Sequence, residues 1–121
     1  MLFRSTEKSF DLVLLGMGDD GHTLSLFPDS ALFDNENKNW VNAVYNEQQQ
    51  MYRITLMPVI VNRASHIAFM INGDKKAEVL KQVIEGEYNP THFPAQIIKP
   101  INGELYWFLD EAAAKDLSNA G

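Results

Sequence analysis

The sequence predicts an α/β fold built around a parallel-type sheet, and three features carry that expectation. Short apolar runs that read as strands alternate with stretches of helical spacing. Two of the runs, Leu12–Leu15 and His66–Ile71, are continuous enough for strands covered on both faces. Each stops at a conformational break, Gly16 in one case and Asn72-Gly73 in the other.

Taken in order, the first ten residues are a polar lead-in to the strand at 12–15. Gly16, Gly18 and Gly21 then break the chain into a turn. A short helix is expected from Thr23 to Phe27, stopped by Pro28. A polar loop at 29–39 leads to a strand at 40–45, and residues 53–57 give another. Pro58 sits where a helix starts. After the strand at 66–71, residues 74–85 place Ala77, Leu80, Val83 and Ile84 on one helical face, with Gly86 as the stop. Residues 90–100 read as loop, 104–109 as an aromatic-rich strand in which Tyr106, Trp107 and Phe108 all find apolar cover, and Asp110 as the cap of a last helix through Leu117.

Composition fits one domain spanning residues 1–121. The chain is 45% hydrophobic and 21% charged, enough for a single core. A formal net charge of −6 opposes binding to nucleic acid or anionic membranes. No apolar run approaches a bilayer span, and the N-terminus lacks the apolar core of a signal peptide. With no cysteine either, a cytoplasmic location is the expectation. An anionic substrate then requires local cations, which directs attention to Arg53 and Lys76.

The turn Gly16-Met-Gly-Asp-Asp-Gly-His22 admits four readings. It matches the G-x-G-x-x-G of dinucleotide sites, but Asp19 and Asp20 would set two carboxylates against a pyrophosphate, and Pro28 cuts short the helix that should carry it. Asp19, Asp20 and His22 could ligate a divalent ion, yet no H-x-x-x-H pair or cysteine accompanies them. His22 could act as a general acid and base near neutral pH, its ring oriented by a carboxylate. A structural reading also stands, in which the aspartates shape a turn and His22 caps a helix. Ser25 lies one helical turn from His22 but lacks the G-x-S-x-G elbow of a nucleophile. His66 and His92 read as structural. Arg53 suits either a solvated strand edge or a phosphate, which its planar fork fits. Lys76, in a helical first turn, is at the wrong end for a cation unless an anion sits there, shared with backbone N–H groups of residues 73–75.

The stretch Gly16-Met-Gly-Asp-Asp-Gly-His-Thr-Leu-Ser-Leu-Phe-Pro28 resembles the 6-phosphogluconolactonase signature G-x-G-x-D-G-H-T-A-S-L-F-P. Arg53-Ile-Thr-Leu-Met-Pro58 is similar to R-I-T-L-T-x-P, and Gly73-Asp-Lys-Lys-Ala-Glu-Val-Leu80 to G-x-x-K-A-E-V-L. Residues 62–69 and 103–113 continue the likeness. Leu24 and Met57 depart from the usual Ala and Thr.

The resemblance implies a Rossmann-like three-layer α/β/α fold, of which this chain supplies the C-terminal half. It implies hydrolysis of 6-phospho-D-glucono-1,5-lactone without a cofactor. His22 is the expected base and Asp20 its orienter; Gly18 and Gly21 are expected to line the substrate, with backbone N–H groups around Gly18 to Gly21 stabilising the oxyanion, and Arg53 and Lys76 to hold the phosphate. Glucosamine-6-phosphate deaminases share a G-x-x-D-G-H turn, but continue with an A-F-N-E-P-like stretch rather than Thr23-Leu-Ser-Leu-Phe-Pro28. A non-catalytic sugar-phosphate-binding domain is the rival of another class. Half of a three-layer sheet leaves an edge or face open, so self-association or pairing with a missing N-terminal half is expected.

Overall fold

The computed structural model describes residues 9–29 and 38–118. Residues 1–8 of the polar lead-in and most of the loop at 29–39 therefore lie outside the described residues. Among the described residues, five strands and three short helices follow in the order β1 (Leu12–Leu15), β2 (Val41–Asn46), β3 (Met51–Leu56), α1 (Pro58–Val61), β4 (His66–Ile71), α2 (Ala77–Glu85), β5 (Glu104–Leu109) and α3 (Glu111–Ala114).

β1, β4 and β5 form a parallel sheet with β4 in the centre, Leu12 opposite His66 and Phe69 opposite Trp107. This is the expected α/β layer, with parallel strands joined by helical crossovers. Its buried face is packed by Leu15, Ile67, Phe69 and Ile71 against Ile60, Val61, Leu80 and Val83. Trp107 stacks on Phe69 with centroids 4.4 Å apart. α2 buries Ala77, Val79, Leu80 and Val83, so Val79 takes the place expected for Ile84, which is exposed. A 3-10 turn at Asp74–Lys76 precedes α2. The Asp110 side chain caps α3 by accepting from the Ala113 N–H at 2.8 Å, as its position predicts.

Cover on both faces is not realised. Leu12, Leu14, Met70 and Phe108 are each more than half exposed, and Tyr106 is partly so. Side chains alternate along a strand, and the described helices cover one face of the sheet only. The same reason corrects the aromatic strand: Trp107 is half-buried against the core, whereas Tyr106 and Phe108 are exposed.

β2 and β3 depart from the parallel pattern. They pair antiparallel as a separate two-stranded sheet, with Val44 opposite Arg53. The four-residue turn between them is held by Asn46, whose Oδ1 accepts from the N–H groups of Gln48 (3.0 Å) and Gln49 (3.3 Å). Residues 90–100 are more ordered than a loop reading allows. A 3-10 turn at Pro94–Ile97 buries Gln96, whose Nε2 donates to the carbonyls of Gln82 and Glu87 at 3.1 and 2.9 Å.

Candidate active site

The site grows from the carboxyl end of β1. Residues 16–29 do not form the expected helix: Thr23 and Leu26 make an isolated antiparallel bridge, and Leu24 has φ of 57°. The buried Thr23 hydroxyl donates to the Gly16 carbonyl at 2.8 Å and folds the segment back on itself. A side-chain bond to a nearby backbone carbonyl competes with helical turns. His22 therefore sits in a compact loop rather than at a helix N-terminus.

Within that loop Asp20 and His22 form a bonded pair. Asp20 Oδ1 accepts from the His22 backbone N–H at 3.0 Å and lies 2.6 Å from His22 Nδ1. Partial burial is the largest single influence on the Asp20 carboxyl and pulls its pKa upward. Bonds from the His22 backbone and ring, with the attraction of a protonated ring, outweigh that and hold it below the ordinary carboxylate value. Asp20 is thus ionised at neutral pH and can only accept, which assigns the Nδ1 proton to the imidazole and leaves the lone pair on Nε2. The ring packs 4.8 Å from Phe27 with its side chain 32% exposed, so it stands at the sheet rim rather than within the core.

Gly18 makes room for the ring. A Cβ there would lie 2.2 Å from His22 Cε1 and Nδ1. Gly21 adopts φ of 87°, and its carbonyl accepts from Ala95 at 2.9 Å, pinning the loop to the Pro94–Ile97 turn. The Gly18 N–H donates to the His22 carbonyl at 2.9 Å and the Gly21 N–H to the Gly18 carbonyl at 3.0 Å. Those two amides are engaged inside the loop.

Lys76 reaches the same loop from the carboxyl end of β4. Its ammonium donates to the Met17 carbonyl and lies 3.2 Å from Asp19 Oδ1. The Gly73 N–H, expected to help hold an anion, instead donates to Asp110 at 3.1 and 3.2 Å.

Arg53 lies on the inner face of the β2–β3 hairpin. Its guanidinium donates to Gln49 Oε1, through Nε at 2.9 Å and also through Nη2. Two residues along, the Thr55 hydroxyl accepts from the buried Ser25 N–H at 3.0 Å and docks the hairpin on the motif loop. That contact gives the Ser25 backbone a structural place. Between hairpin and loop lies a cleft of about 490 Å³, lined by Asp20, Phe27, Pro28, Val44, Tyr45 and Asn46. His66 is exposed on the open face of the sheet beside Tyr106, and His92 packs on Phe93, both apart from the cleft. Among the described residues no group of three or more His, Asp or Glu side chains converges as a metal site, and no helix is long and apolar enough to cross a membrane.

Two couplings escaped sequence reasoning, Lys76 with Asp19 and Thr55 with Ser25. Their partners lie tens of residues apart, and single-sequence spacing carries no signal for them.

Residues 1–107 match the family model described as glucosamine-6-phosphate isomerases/6-phosphogluconolactonase. The human 6-phosphogluconolactonase is 43% identical over 110 residues, which is 90% of this chain and 42% of that protein. The enzyme of Haemophilus influenzae is 40% identical over 106 residues, 88% of this chain and 45% of its own length. Among solved structures, the devB protein superposes with a TM-score of 0.81 at 30% identity over 91% of this chain and 45% of its own. The Trypanosoma brucei 6-phosphogluconolactonase gives 0.78 at 27% identity, with coverage of 91% and 43%. A monomeric glucosamine-6-phosphate deaminase, at 23% identity and a TM-score of 0.68, shares the fold. The chain spans less than half the length of the curated relatives it matches. Its parallel sheet, its motif loop and these likenesses make it a member of the glucosamine-6-phosphate isomerase/6-phosphogluconolactonase family.

Proposed function

We propose that this chain carries the reacting centre for hydrolysis of 6-phospho-D-glucono-1,5-lactone to 6-phosphogluconate, a step of the oxidative pentose phosphate route. One observation carries the proposal: the 2.6 Å contact between His22 Nδ1 and Asp20 Oδ1, which leaves the ring's lone pair on Nε2; Asp20 lines the cleft against the hairpin, and His22 lines a separate recess with Leu14, Gly16 and Gly18. The names of the relatives support the choice of substrate.

In this reaction Nε2 takes a proton from water as the water oxygen bonds to the lactone carbonyl carbon. The tetrahedral oxyanion collapses, the bond from that carbon to the ring oxygen breaks, and the imidazolium returns its proton to that oxygen. Asp20 stabilises the imidazolium between the two transfers. Gly18 and Gly21 shape the loop under the substrate, and Arg53 and Lys76 bind the phosphate. Arg53 is within one strand pair of the cleft through Val44, and Lys76 touches the loop that carries His22. No cofactor enters the scheme.

The chain is further read as one domain, the C-terminal half of the family fold, acting in the cytoplasm. The open face of its sheet, with Leu12, Leu14, Met70 and Phe108, is where the remaining layers dock or where copies of this chain pair. Replacement of His22 by Ala tests the chemistry. Turnover above spontaneous lactone opening should fall about a hundredfold or more. An unchanged rate removes His22 from the mechanism.

A further inference from the structure

We infer that Asp19 is an internal counter-ion for Lys76, which an anionic ligand must displace, and that it thereby sets how weakly this site holds phosphate. The inference rests on the reading of Lys76 as a phosphate ligand.

A lysine ammonium has three donors. One points to the Met17 carbonyl and another to Asp19 Oδ1, 3.2 Å away. The two partners differ in mobility. Met17 is buried in the core, whereas the Asp19 side chain is 64% exposed and can rotate into solvent without breaking packing. The Lys76 side chain is itself only 24% exposed, so its position is set by the fold. A phosphate approaching this ammonium meets a carboxylate already in contact with it, and two like charges cannot share so short a range without cost. Anion binding is therefore an exchange: Asp19 swings out, the Met17 carbonyl keeps Lys76 in place, and phosphate takes the vacated donor.

Asp19 is separable from the reacting pair. The bonds of Asp20 run to His22 and do not involve its neighbour. Neutralising Asp19 leaves the dyad intact.

The test is calorimetric titration of inorganic phosphate, at fixed pH and ionic strength, into the full chain and into Asp19→Asn, Lys76→Met and the double variant. Asp19→Asn should bind phosphate about three- to tenfold more tightly, as removal of a partly exposed competing charge implies. The gain should vanish in the Lys76→Met background. Asp19→Ser, which also removes the charge, should reproduce the gain. Unchanged affinity in Asp19→Asn, with weakened binding in Lys76→Met, overturns the counter-ion role and leaves Lys76 as a phosphate ligand. A gain that persists without Lys76 also overturns it. If Lys76→Met binds as the unmodified chain does, or none of the proteins binds phosphate, the reading of Lys76 falls and this inference with it.

Discussion

Gly18→Ala probes the site without removing any group that does chemistry. The new Cβ would lie 2.2 Å from two atoms of the His22 ring and 3.0 Å from Asp20 Oδ1. Ordinary carbon contacts are about 3.5 Å, so the ring must retreat by roughly 1.3 Å. That motion stretches the 2.6 Å contact to Asp20 to about 3.2 Å, the outer limit of an N–H···O bond, and so weakens it. Gly18 is not among the glycines with positive φ, so alanine adds no backbone strain and the fold should persist. Misplacement of a catalytic group by about 1 Å costs on the order of a hundredfold in rate. Lactonase turnover should fall by that amount while the denaturation midpoint moves little. Carbon-13 NMR of the Asp20 carboxyl gives a readout independent of activity. In the unmodified chain its pKa lies below the ordinary value, held there by His22 against the opposing pull of burial. In Gly18→Ala it should rise. Linkage gives the sign for stability: the Asp20 contribution is complete above the unfolded value of about 3.9 and disappears as pH falls through the lower folded value. This acid-sensitive component should shrink in the variant. An Asp20 titration curve that alanine leaves unchanged would refute the steric reasoning.

Two further outcomes concern the sheet. Phe69→Ala removes a fully buried ring stacked on Trp107 in the central strand, and should cost about 3–5 kcal/mol by urea or guanidinium unfolding; a loss below about 1 kcal/mol would show that the stack collapses without a cavity. The open face should drive self-association at micromolar concentration, and Leu14→Lys with Phe108→Lys should return the chain to monomer in sedimentation velocity. A monodisperse monomer of the unmodified chain contradicts the assignment of that face.

Local chemistry in this chain was legible where partners are close in sequence. The strands at 12–15, 66–71 and 104–109 follow from apolar runs ended by glycine or Asp, and the Asp110 cap from its position ahead of a polar-to-alanine change. The Asp20–His22 pair, two residues apart, was readable as a carboxylate able to orient a ring. Sequence reasoning failed where a distant group decides. Thr23 to Phe27 has helical spacing, yet the Thr23 bond to Gly16 and the docking of Ser25 on Thr55 favour a folded-back loop. The hairpin was read as two strands without its antiparallel pairing, because Asn46 acts through a turn bond that composition does not display. Leu12 and Leu14 look like buried strand residues since hydrophobicity records what a face needs, and cannot say whether its cover belongs to the same chain.

The site divides by the origin of its contacts. The proposed reacting end is held within one loop, where Gly18 leaves room for the ring, Asp20 fixes its tautomer and Gly21 ties the loop to Ala95. The proposed anion-binding end draws on separate elements, with Arg53 on a hairpin and Lys76 at the start of α2. Each of those cations already has a partner, Gln49 for one and Asp19 with Met17 for the other. The Asp20–His22 pair is joined by bonds between residues two apart in the chain, so its geometry does not require neighbouring elements to hold the two groups together. Cations on separate elements converge on one phosphate only if those elements are held in register. Loss of supporting layers should therefore weaken substrate binding before it disturbs the proton-transfer pair, and the two ends of this site respond to different parts of the fold.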